Sequence, residues 1–137
     1  MKFVLDCSVV MAWCFDDESD GYADKVLNLV TKNEALVPSL WPLEVANVLL
    51  VGERKKRLTK ADSARFIELL GAQPISVDPE TPEKAFGDTL ALARDCGLSA
   101  YDASDLELAM RHGIALATGD QSLRKAAVKS GIRLLKV

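Results

Sequence analysis

Phe3-Val4-Leu5-Asp6-Cys7-Ser8, near the start of the chain, and Ile114-Ala115-Leu116-Ala117-Thr118-Gly119-Asp120, near its end, share one pattern. In each, a short apolar run reads as a buried strand. In each, an aspartate stands at or just past the strand's C-terminal end. Between them, strand-like and helix-like segments alternate.

Ser8 to Phe15 suits a helical turn or two, closed by Asp16, Asp17, Glu18 and Asp20, an acidic stretch expected as an exposed loop. From Gly21 to Lys32 the residues Ala23, Val26, Leu27, Leu29 and Val30 recur with helical spacing. Ala35 to Val37 is a strand stopped by Pro38, and Ser39 stands where it can cap a helix from about Trp41 to Arg57. Thr59 or Asp62 begins another helix, and Pro74 to Val77 is a short strand. After a turn at Pro79 and Pro82, a helix from about Pro82 to Cys96 ends at Gly97, and one from Asp102 to His112 ends at Gly113. The strand Ile114 to Ala117, a helix from Gln121 to Lys129 and a last strand from Ile132 to Leu135 complete the chain. Such alternation predicts an α/β fold, with a mainly parallel sheet covered by helices on both faces. Sites in that architecture lie at the C-terminal ends of the strands.

The 137 residues, 49% hydrophobic and 27% charged, suit one domain spanning 1–137. No apolar run approaches the roughly 20 residues that cross a bilayer, and Asp6 interrupts any signal-peptide region, so a soluble, cytoplasmic protein with no membrane partner is expected. Cys7, Cys14 and Cys96 lack a paired spacing and have one histidine to join them, which argues against a zinc site or disulfide frame. The net charge of −3 argues mildly against indiscriminate capture of nucleic acid.

The acids carry the chemistry. Asp6 and Asp120 fall at strand ends, Asp102 at a helix start, and Glu44 on a largely apolar helix between Trp41, Val45 and Val48. A charge there is costly unless something positive meets it, and no Lys or Arg is among its near neighbours. Mg²⁺ would answer, since it takes a few carboxylates, keeps several waters and bridges to phosphate. One or two such ions can drive phosphodiester cleavage. Ordinary readings stand beside this one: Asp6 and Asp102 suit helix caps, and Asp120 suits a turn. Asp105 shares a helix face with Asp102 but also fits a solvated surface, and Ser8, Asn47 and Thr118 can orient a carboxylate or merely cap.

Leu5-Asp6-Cys7-Ser8, the run Val37-Pro-Ser-Leu-Trp-Pro-Leu-Glu44-Val-Ala-Asn47, Leu98-Ser-Ala-Tyr-Asp102-Ala and Ala117-Thr-Gly-Asp120 together resemble the PIN-domain family, and within it the VapC toxins of bacterial and archaeal toxin-antitoxin pairs. The resemblance covers essentially the whole chain. It implies an α/β/α sandwich, an endoribonuclease dependent on Mg²⁺ or Mn²⁺, a small cognate antitoxin and a homodimer. The family's acidic quartet falls on Asp6, Glu44, Asp102 and Asp120, and its small hydroxyl residue on Ser8. An acid at Asp105 departs from many relatives, and either adds a ligand or does nothing. The apolar helix faces around Val26 to Val30 or Leu43 to Leu50 are candidates for the dimer contact.

RNA phosphates could be held by Arg54, Lys55, Lys56 and Arg57, or by Arg124 and Lys125, although cations at a helix end have a simpler explanation in the helix dipole. The preference for RNA, tRNA included, over single-stranded DNA rests on the resemblance, and a housekeeping nuclease would use the same acids. A receiver-like phosphate-binding module is disfavoured by the placement of Glu44 inside a helix. A phosphatase is disfavoured because Ser8 stands where its second aspartate would be.

Overall fold

The computed structural model describes residues 1–15 and 21–137. The acidic stretch Asp16, Asp17, Glu18 and Asp20 lies outside the described residues. In chain order the elements are β1 (Lys2–Leu5), α1 (Cys7–Cys14), α2 (Gly21–Val30), β2 (Glu34–Val37), α3 (Trp41–Arg54), α4 (Lys60–Gly71), β3 (Ile75–Val77), α5 (Thr81–Lys84), α6 (Leu90–Cys96), α7 (Ala100–His112), β4 (Ala115–Ala117) and α8 (Gln121–Lys129). A π-helical turn, Ala85–Thr89, joins α5 to α6 and interrupts what the sequence presents as one helix.

The strands pair in parallel in the order β3-β2-β1-β4. Side chains alternate across a strand, and both sides of β1, β2 and β4 are buried, while the edge strand β3 is largely exposed. Phe3 and Leu5 of β1, with Ala35, Val37, Ala115 and Ala117, pack against Val9, Val26, Val45 and Phe66 from α1 to α4. Val4, Leu36 and Leu116 point the other way, onto Leu106 and Leu108 of α7 and Leu123 and Ala127 of α8. The result is the expected three-layer α/β/α sandwich. From β1 the chain winds outward through β2 to β3, while β4 lies on β1's other side. The switch point is therefore between β1 and β4, where such sheets open a crevice at the strand C-termini. Asp6 and Asp120 follow those two strands. No helix among the described residues is long and apolar enough to cross a membrane.

Local differences from the sequence reading have physical causes. The last strand, expected at Ile132 to Leu135, is a single bridge between Leu116 and Leu134. Within three-residue β4, only Leu116 turns its N–H and C=O outward, to Arg133 O and from Leu135 N, both at 2.9 Å. Ser39 does not cap α3. The N-cap is Leu40, Pro42 removes one of the first-turn donors, and Ser39 instead donates its hydroxyl to Asp78 O and its N–H to Thr81 Oγ1. Thr59 does begin α4, in a reciprocal capping box with Asp62.

α3 stops at Arg54 rather than Arg57 because Lys56 turns left-handed (φ 61), letting the N–H groups of Arg57 and Leu58 bond Gly52 O. A residue with a Cβ pays ~1 kcal/mol or more there. Lys56→Gly is accordingly expected to raise the urea-unfolding free energy by about 1 kcal/mol. Of the two faces considered for a dimer, Val26 and Val30 are core residues with no exposure, which removes α2's apolar face. Leu43 and Leu50 on α3 are 75% and 42% exposed.

Candidate metal centre

The crevice between β1 and β4 is a cleft of about 590 Å³ lined by Asp6, Ser8, Glu44, Asn47, Asp102 and Asp120, together with Cys7, Met11, Leu40, Leu43, Val48 and Tyr101. Sequence reasoning passed over the apolar lining and Tyr101 as site residues. Their only signal is adjacency in the chain: Leu43 precedes Glu44 and Tyr101 precedes Asp102.

Asp6 follows β1 directly, and its N–H bonds Ala117 O across the switch point at 3.0 Å. It is the N-cap residue of α1, yet its side chain makes no capping bond. Instead its Oδ2 accepts from Ser8 Oγ and Thr118 Oγ1, each at 2.7 Å. Those two hydroxyls are fixed in turn. Ser8 Oγ accepts from Gly119 N at 3.0 Å, and Thr118 Oγ1 accepts from Asp120 N at 3.0 Å. The Asp6 carboxylate is thus tied through the Thr118 hydroxyl to the backbone N–H of Asp120, and through Ser8 to that of Gly119. Asp120 divides its role, since its Oδ1 caps α8 by accepting from Ser122 N and Leu123 N.

α7 is capped by Ser99, whose hydroxyl accepts from Asp102 N, so the Asp102 carboxylate is not a cap. One helical turn on, Asp105 is 1% exposed, and neither of its oxygens accepts a hydrogen bond. Asp6, Asp102 and Asp105 each offer an oxygen, all within 4.8 Å of one another. Glu44 joins from α3 with a buried, unpartnered Oε1, and Asn47 lies one turn further along.

Crowded acids resist ionisation. Burial, and then the charges of Asp6 and Asp102, push Glu44 up to about 7. Burial, Asp6 and Asp120 push Asp102 up to about 6. Asp105 is raised well above the usual carboxylate range, by burial first and then by Asp6, which it can bond only as the protonated acid. Burial and these same acids push the Cys7 thiol up to about 12, so Cys7 is a packed residue and not a nucleophile. A set of oxygen donors, crowded, partly orphaned and with no Lys or Arg among the described residues that line the cleft, fits a hard divalent cation.

A pH dependence follows. Folding raises the pKa of Glu44 and Asp102 above their unfolded values of 4.5 and 3.8, so the folded form binds protons more tightly. Without divalent ions, stability should fall as pH climbs from about 4 through 6 and 7. At these half-exposed groups solvent screening leaves a loss on the order of 1–3 kcal/mol. Urea unfolding in EDTA at pH 5.5 and pH 8 measures it, and saturating Mg²⁺ should remove most of the difference. Equal stabilities at the two pH values would contradict the acid cluster's energetics.

The cationic candidates divide. Arg54, Lys55, Lys56 and Arg57 are all exposed. Arg57 lies over the Phe15 ring at 4.0 Å. Arg124 is half-buried, donates Nε to Thr118 O at 2.8 Å and lies over Tyr22 at 4.7 Å, so it braces the Thr118 turn from behind. Lys125 is exposed, and neither it nor Arg124 lines the acid cleft.

The family model for the PIN domain matches residues 3–129. The chain belongs to the PIN-domain family. This PIN domain is 28% identical over 123 residues to Ribonuclease VapC3 from Pyrobaculum aerophilum, covering 90% of this chain and 92% of that protein. The crystal structure of PAE2754 from the same organism superposes with a TM-score of 0.66 at 26% identity, over 92% of this chain and 87% of that one. VapBC2 from Rickettsia felis, solved bound to a DNA fragment from their promoter, gives a TM-score of 0.67 at 12% identity and 98% coverage of each chain, a likeness of fold.

Proposed function

We propose that this PIN domain is a metal-dependent endoribonuclease of the VapC type, held in check in the cytoplasm by a small antitoxin. The observation that carries the reading is the convergence of Asp6, Asp102 and Asp105 within 4.8 Å, beside Glu44 and Asp120, with Asp105 fully enclosed and unpartnered. The similarity to Ribonuclease VapC3 supports the choice of RNA. Asp6, Asp102 and Asp105 would hold Mg²⁺ or Mn²⁺ from one side, with Glu44 and Asp120 closing the set.

When bound, the ion supplies the positive charge that phosphodiester hydrolysis needs at the attacked phosphate. The residues do the rest. Ser8 and Thr118 keep the Asp6 carboxylate in one orientation. Asn47 presents an amide beside Glu44 for a substrate oxygen. Leu40, Val48 and Met11 make one wall of the cleft apolar, with the exposed Leu43 at its rim. A homodimer would use exposed apolar side chains such as Leu50 of α3 rather than the buried Val26 and Val30 of α2.

The test is incubation of antitoxin-free protein with structured RNAs, tRNA among them, and with single-stranded DNA, in Mg²⁺, Mn²⁺ or EDTA. RNA fragments that appear only with metal are the expected result. Cutting of DNA but not RNA would replace the toxin by a housekeeping nuclease. No cutting of either would overturn the nuclease reading.

A further inference from the structure

The acid cleft does not end at Glu44. It shares Met11, Asn47 and Val48 with a neighbouring cleft of about 340 Å³ that continues past Val51 to Lys55 and Arg57. That second cleft shares Phe15 and Arg57 with a third, of about 560 Å³, which runs on beside α4 to Arg65. The three form one furrow. Its wall on α3 is set by helical periodicity, because Glu44, Asn47, Val48, Val51 and Lys55 fall on one stripe. Eleven residues of helix separate Glu44 from Lys55, about 16 Å of rise.

The furrow is polar in charge. Among the described residues, carboxylates gather at one end, while at the other Lys55, Arg57 and Arg65 outnumber the single acid Asp62, which is ion-paired to Arg65; Met11, Val48 and Val51 form the floor between them, and Phe15 is buried beneath Arg57. We propose that the furrow is the track for single-stranded RNA: the phosphate to be cut sits at the acid end with the ion, and Lys55, Arg57 and Arg65 hold phosphates several nucleotides away. At ~3.4 Å per stacked nucleotide, the 16 Å stretch spans about four or five. The proposal rests on the nuclease reading of the acid end.

Three further points favour this occupant. An uninterrupted anion satisfies cations of one sign at intervals, which a peptide of mixed charge does only by a matching sequence. Unpaired bases can lie on an apolar floor, whereas those of a duplex are turned inward. The carboxylates would repel a polyanion that had no ion beneath it, so holding it from a distance requires the cations at the far end.

The experiment is steady-state cleavage by the metal-loaded protein at several salt concentrations, comparing the parent with Lys55→Gln, the double variant Lys55→Gln/Arg65→Gln, and Lys129→Gln on α8 as a control away from the furrow. Lys55→Gln should raise KM several-fold with kcat unchanged. It should also reduce the slope of log(kcat/KM) against log[salt] by about 0.7, the share of one phosphate contact on a single strand. The double variant should lose about twice that slope, Lys129→Gln none. The defect should vanish on oligonucleotides trimmed too short to reach Lys55. A structural defect would change neither the salt slope nor the length dependence. If the parent cuts RNA and Lys55→Gln and the double variant match it in KM and slope, the track is wrong and the nuclease stands. If those variants keep RNA kinetics but resist inhibition by the antitoxin, the furrow belongs to the protein partner. If the parent cuts nothing, both readings fall together.

Discussion

Asp6→Asn is expected to fold like the parent protein and to cut RNA at least about 100-fold more slowly, since even the outer partners of metal ligands cost ~10–100-fold when removed. The folding half of that expectation comes from shape. An amide at position 6 keeps an acceptor oxygen for the hydroxyls of Ser8 and Thr118, so the 2.7 Å bonds that lock the β1 and β4 ends need not break. Electrostatics points the same way. The Asp6 charge raises the pKa of Glu44, Asp102 and Asp105, so removing it relieves like-charge crowding in the ion-free cleft. In EDTA at pH 8 the variant should therefore be at least as stable as the parent. The losses fall on the other side of the balance: without the charge, the cluster within 4.8 Å loses a ligand. The rise in melting temperature that Mn²⁺ gives the parent should shrink along with the cleavage rate. Thermal unfolding with and without Mn²⁺, beside cleavage rates on one RNA, separates these effects. A variant that keeps full activity would remove Asp6 from the proposed chemistry.

The residues of this site differ in how visible they were from sequence, and the differences are physical. Asp6 and Asp120 are legible because a parallel strand must be apolar, so the first acid after it marks the strand's end. Glu44 is legible as a misfit, a charge among apolar neighbours on its own helix. Asp105 is not, because its spacing from Asp102 equally describes a solvated face, and only the packing of α7 against the sheet decides that Asp105 is 1% exposed. The same holds for Ser39. Its residue type marks a cap, but its partner Asp78 lies 39 residues away, a pairing that local pattern cannot encode. The last bridge at Leu134 reads as a strand because its residues are apolar, while the number of outward-facing groups on β4 sets how much ladder can form. The Arg111 cluster was invisible for the reason that hid Ser39, and it carries the largest stability effect expected here.

Arg111→Met is expected to cost about 3–5 kcal/mol, the range for removing one partner from a buried ion pair. Arg111 spends every guanidinium N–H it has. Nη1 and Nη2 grip Asp78 at 3.0 and 2.7 Å, Nε and Nη2 grip Glu107 at 2.9 and 3.0 Å, and Nη1 also reaches Glu80 at 3.1 Å. Asp78 and Glu107 are 5% and 4% exposed, so deleting the arginine strands two nearly buried anions. Lys at 111 keeps a charge but has neither the planar fork nor five donors, and should recover only part of the loss. Neutralising the stranded acids with Asp78→Asn and Glu107→Gln in the Arg111→Met background should recover more. Arg111's hydrogen bonds, ahead of its charge, hold the Asp78 carboxyl below the usual range. A lowered pKa contributes stability above the unfolded value of 3.8 and loses it as pH falls below. The gap between parent and variant should thus be full at pH 7 and narrow toward pH 3 in urea unfolding. A gap independent of pH would mean that Arg111 acts by packing alone. The site feels the same cluster: Arg111 lies in the last turn of the helix that carries Asp102 and Asp105, and Asp78 and Thr81 bond Ser39 just before the helix that carries Glu44. Loosening it frees the two acid-bearing helices to separate, so Mn²⁺ affinity should fall in Arg111→Met although no acid of the cleft has been touched.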